Sequence, residues 1–75
     1  PRVWGLLTGL AGGRAGRIVV LVNIGSSTIT LVDESGSSAA ANRFALNANL
    51  SLAAEQAAIL WYDGTSNRWR CIGRS

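Results

Sequence analysis

Between Arg17 and Asn23 the chain reads RIVVLVN, five apolar residues in succession, four of them β-branched. Such residues are stiff at χ1 and favour extended backbone. Successive side chains of a strand point to opposite faces, so both faces of this strand are apolar. That leaves two solutions. The strand either lies at the centre of a core, covered on both sides, or turns one face to the core and the other to a second subunit.

Size bears on the choice. A chain of 75 residues buries only about 60% of the surface its unfolded form exposes, so its own core is marginal. The sequence is nevertheless 48% hydrophobic. Small domains usually gain stability from disulfides, a metal or oligomerisation. Cys71 is the single cysteine and there is no histidine, so neither an internal disulfide nor a zinc site is expected, and no metal or cofactor is implied. Oligomerisation remains.

The formal charge of +3 comes from arginines alone, set against Asp33, Glu34, Glu55 and Asp63. A nucleic-acid surface clusters its cations, whereas Arg2, Arg14, Arg17, Arg43, Arg68, Arg70 and Arg74 are scattered, with only Arg68 and Arg70 sharing a strand face. Nucleic acid is not an expected partner. No segment approaches the roughly 18 to 20 consecutive apolar residues that span a bilayer, so membrane insertion is not expected either. The opening PRVWGLLTGL reads as the continuation of a longer chain.

Turn and strand signals divide the rest. Gly12, Gly13 and Gly16 mark residues 1–16 as a connecting segment, and residues 17–75 read as one β domain. Arg17–Asn23 and TITLVD, separated by the turn residues NIGSS, predict a hairpin. ESGSSAAAN is a loop with room for one helical turn at its alanines. RFAL and NLSLAA are short strand candidates, and QAAILWYDG followed by RWRCIG predicts a terminal hairpin turning at Asp63-Gly64. A shift of 40 positions lays LVNIGSSTITL over WYDGTSNRWRC, so that Asn23 meets Asp63 and Ile29 meets Trp69. The two stretches read as variants of one hairpin, by duplication or by convergence.

No catalytic set emerges. Without histidine, Cys71 lacks a base and fits better as a small core residue beside Trp69. Asp33 and Glu34 sit at a strand end, and Asp63 sits where a turn needs an aspartate. The glycines of GLAGGRAGR match neither a phosphate loop nor a dinucleotide fingerprint. Three tryptophans are left. Trp4, Trp61 and Trp69, exposed together, make a lectin-like surface. As cross-strand neighbours, Trp61 and Trp69 instead fill one core layer of the terminal hairpin.

From about Leu10 to Gly73 the chain resembles a small β domain that recurs in tail-fibre, tail-spike and other receptor-binding proteins of tailed bacteriophages and prophages. The resemblance rests on Gly16-Arg17 before an apolar strand, on Asn23 to Leu31, on SSAAANRF and on YDGTSNRWR. It implies a non-enzymatic structural or adhesive module of a homotrimeric fibre, located in the virion tail, and leaves the ligand open; the expected partners are the chain itself and a host cell-surface glycan. The first ten residues lie outside the pattern.

The expected protein is therefore an all-β domain, a small antiparallel sandwich or barrel of about six short strands, assembled as a homotrimer. Val19, Leu21, Trp4 and Leu6 are the expected interface residues. Ser37 and Ser38 in one loop, and Ser66 and Asn67 in another, are the expected ligand-contacting positions, since binding residues concentrate on loops carried by a rigid scaffold. A carbohydrate-binding domain using exposed tryptophans is the alternative.

Overall fold

The computed structural model describes the backbone of residues 2–3 and all of residues 6–75. It is all-β. Seven strands, β1 (Arg2–Val3), β2 (Leu6–Leu7), β3 (Ile18–Val22), β4 (Ile29–Leu31), β5 (Leu50–Leu52), β6 (Ala57–Asp63) and β7 (Arg68–Arg74), form two sheets, and a 3-10 turn occupies Ala40–Asn42. One sheet has the order β1-β2-β4-β5 and is mixed, β2 running parallel to β4 with Leu7 opposite Leu31. The other is the antiparallel sheet β3-β6-β7.

The alternation of each strand decides what fills the space between the sheets. Leu31 and Leu52 come from the mixed sheet, and Ala58, Leu60, Tyr62 and Trp69 from the antiparallel one. Phe44 enters from the connection between them, and all seven are buried. Trp69 and Tyr62 meet edge to face, with ring centroids 5.1 Å apart at 79°, a favourable geometry for the aromatic quadrupole. The indole Nε1–H donates to the Leu10 carbonyl (2.9 Å) and the Tyr62 hydroxyl to the Ala41 carbonyl (2.7 Å), so both polar handles are satisfied.

The chain departs from the sequence reading in several places. Strands β3 and β4 do not form a hairpin, because they belong to different sheets. The cause is Asn23. Its side chain turns inward, where Nδ2 donates to the carbonyls of Ser27 (2.8 Å) and Leu52 (2.9 Å). Its Oδ1 accepts from Gly25 N–H (3.0 Å). This buried amide carries the chain from one sheet to the other. The 40-residue likeness survives only as turn chemistry: Asp63 Oδ1 accepts from Thr65 N–H as Asn23 Oδ1 does from Gly25, and only the second stretch is a hairpin.

RFAL is extended without becoming a strand; Phe44 makes isolated bridges to Asp33 and Trp69. The segment read as a connection, residues 1–16, contributes β1 and β2. Several of its glycines disfavour a side chain, two of them beside β3 and Tyr62. A Cβ on Gly13 would strike the Tyr62 ring, and Gly16, just before β3, has φ +82°, a region L side chains rarely adopt. Strand β3 is an edge and not a central strand. Trp61 and Trp69 do not share a layer: Trp61 pairs with Arg70 and points away from the core, and Tyr62 is the partner of Trp69.

Candidate assembly interface

The antiparallel sheet has a second face. Val19 and Leu21 face inward and pack against the core, so Ile18, Val20 and Val22 face outward. Across the ladder Ile18 stands opposite Trp61, Val20 opposite Ile59 and Val22 opposite Ala57. Ile72 joins them from the irregular register between Ile59/Leu60 and β7. Ile18, Val20, Val22, Ile59 and Ile72 are between 39% and 60% exposed, and Ile24, just past β3, is 92% exposed. Where Gly73 stands opposite Ile59, the missing side chain leaves a hollow bordered by Val20, Ala57, Arg74 and Ser75. Scattered surface apolar residues are ordinary, but a contiguous row on one sheet face makes that face a candidate interaction surface.

Charges sit at one end of this face. Arg70 Nε donates to Asp63 Oδ2 (2.9 Å), Ser66 Oγ donates to the same oxygen (2.9 Å), and Arg70 Nη2 reaches Ser66 Oγ (3.3 Å). The Arg70 guanidinium, with Thr65 N–H and the Ser66 hydroxyl behind it, holds the Asp63 carboxyl down to about 2. Arg68 Nε pairs with Glu34 (2.7 Å). Arg17, Arg43 and Arg74 donate to the carbonyls of Gly12, Ser38 and Ser51. These cations are each tied down locally. Asp33 Oδ1 accepts from Leu46 N–H (2.7 Å) and acts as a bracket between two loops.

The expected site residues divide. Of the expected interface set, Val19 and Leu21 are on the core side, Leu6 on β2 is 41% exposed, and Trp4 lies outside the described residues. The apolar surface that the two-faced strand foretold is present, on the alternate residues. Of the expected loop positions, Ser37 and Asn67 are exposed and Ser66 is half-buried in the Asp63 cluster. Ser38 is buried, its Oγ 2.7 Å from Thr8 Oγ1, and cannot contact a ligand. Trp69 is fully buried and takes no part in an aromatic surface. Among the described residues no three His, Cys, Asp or Glu side chains gather as a metal site, and no helix is long and apolar enough to cross a membrane. Cys71 lies partly buried against the core, its Sγ donating to the Gly73 carbonyl (3.3 Å).

Sequence reasoning missed two residues. Asn23 read as a turn former and is a buried node. Ile59 sat inside an apolar run that hid which of its members faces out. Compared with models of protein families, with curated proteins and with solved structures, the chain matches none.

Proposed function

We propose that the domain is a structural trimerisation and adhesion module of a phage tail fibre or another receptor-binding protein. Its work is assembly, not chemistry. The observation that carries the reading is the exposed apolar face of β3-β6-β7, with Ile18, Val20, Val22, Ile59 and Ile72 at its surface. Leaving these side chains in water forfeits roughly 25 cal/mol for each Å² that a partner would cover. Identical copies supply that cover most simply, because obligate interfaces resemble a domain core cut in half. The resemblance over Leu10 to Gly73 supplies the biological setting. Host contact, in this reading, falls to the exposed loop residues Ser37 and Asn67.

Light scattering at micromolar concentration tests the assembly. Three times 7.8 kDa is expected, with a β-type circular dichroism spectrum. A mass of one chain with the fold intact refutes it.

A further inference from the structure

We propose that the open edge of β3 is where a second copy of this chain adds a strand, and that the added strand is the Cys71–Arg74 half of its β7. The identity of the partner rests on the trimer reading above; the place rests on the backbone. Tyr62 N–H donates to the Arg17 carbonyl (2.8 Å) and Asn23 N–H to the Gln56 carbonyl (2.9 Å), which fixes the phase of the ladder. Odd-numbered residues of β3 bond β6. By the alternation of antiparallel pairing, the N–H and C=O groups of Ile18, Val20 and Val22 point the other way, where no strand lies among the described residues.

An edge of this kind is normally guarded by charge, proline, a bulge or a covering loop. Among the described residues β3 has none of these between Ile18 and Val22. β7, the other edge of the same sheet, has several. Residues 43–45 cover its start, through Trp69 N–H to the Arg43 carbonyl (3.0 Å) and Ala45 N–H to the Trp69 carbonyl (2.8 Å). Arg68 and Arg70 line that same covered half, whereas the Cys71–Arg74 half carries a register break near Ile72 and one arginine but no covering segment among the described residues. One edge is protected over half its length and the other is left open.

Three-fold contacts are heterologous, so β3 must meet a different surface of its neighbour. The uncovered half of β7 is the surface of the same sheet that remains. Both strands run antiparallel to β6 and hence parallel to each other, and a three-fold axis along them preserves that direction. The three apolar faces then turn toward the axis. An exposed apolar patch on a single chain is typically a few hundred Å², short of the roughly 800 Å² per partner of a stable interface, and edge pairing adds to it.

Val20→Pro tests the edge. It removes an N–H that no bond among the described residues uses, whereas Leu21→Pro removes one that β6 requires. The Val20→Pro chain is expected to keep the parent's circular dichroism and to run as one chain at a concentration where the parent is three; Leu21→Pro is expected to unfold. Hydrogen exchange on the parent needs no variant. The amides of Ile18, Val20 and Val22 should exchange at least about tenfold more slowly in the assembled protein than after dilution to single chains. A trimeric parent whose three amides exchange freely, or a trimeric Val20→Pro, overturns the edge and leaves the trimer standing. A parent of two chains points to β3 pairing with β3 and overturns both, as does a parent of one chain.

Discussion

Asn23→Ala removes the side chain on which the crossing from β3 to β4 depends. Three hydrogen bonds go with it: two donated to the carbonyls of Ser27 and Leu52, one accepted from Gly25. The residue is 2% exposed, so the groups it abandons stay largely out of water. At about 0.5–1.5 kcal/mol for each bond, the loss comes to roughly 2–4 kcal/mol. For a domain of this size 1 kcal/mol moves the melting temperature by about 4–8 °C, so a fall of roughly 8–32 °C is expected. Asn23→Asp keeps the shape and adds a sign test. A buried carboxylate facing two carbonyls is penalised when ionised, so its folded pKa is raised above the unfolded value near 4. The penalty is then absent below that unfolded value and grows as pH rises through the folded one. Thermal melts at fixed chain concentration, from pH 4 to 8, read both variants, fixed concentration being essential where assembly contributes. Asn23→Ala melting within 2 or 3 °C of the parent, or Asn23→Asp losing stability as pH falls, would refute the assignment of Asn23 as the node between the sheets.

Trp69→Ala should cost about 3–5 kcal/mol by urea unfolding, since the ring is fully buried, and Trp61→Ala, on the outer face, should cost less; equal costs contradict the two faces. Asp63, held down to about 2, contributes stability that is present above its unfolded value near 4 and is lost as pH falls through the folded one. Asp63→Asn should therefore flatten the melting-temperature profile between pH 4 and 2, and an unchanged slope speaks against the Arg70 contact. Ser37→Ala should leave melting within about 0.5 kcal/mol of the parent, while Ser38→Ala, which removes the buried hydroxyl contact to Thr8, should cost about 0.5–1.5 kcal/mol.

The existence of β3 to β7 and the pairing of β6 with β7 were legible; β1, β2 and the other partnerships were not. β3, β4, β5, β6 and β7 all lie in runs whose β-branched or alternating residues announce them, because period and propensity are local properties. The hairpin wrongly expected at NIGSS has the same local turn chemistry as the true one at Asp63. What separates them is where Asn23 puts its amide, and its partner Leu52 is 29 residues away. The tryptophans turned on one residue of loop. Three residues between β6 and β7 would have set Trp61 opposite Trp69. Four residues, 64–67, with Asn67 at φ 55°, set Tyr62 there instead, and a one-residue slip exchanges the faces. Phe44 and Ser38 are buried by contacts with Trp69 and Thr8 that no local pattern records. That one face of the run at Ile18–Val22 is left exposed was legible in kind, but its parity was not, because RIVVLVN offers apolar side chains on both.

The most direct measurement of the central claim is the mass of Ile59→Lys beside the parent. Ile59 stands mid-face between Val20 and Gly73 and is 39% exposed, so a lysine stem can lie along the sheet with its ammonium in water in a single chain. Buried among three copies, the same charge would be desolvated without a partner. With the parent at three chains, Ile59→Lys is predicted to scatter as one chain of near 7.8 kDa with an unchanged β spectrum. A variant that assembles as the parent does contradicts the claim that copies meet through the outer face of β3-β6-β7.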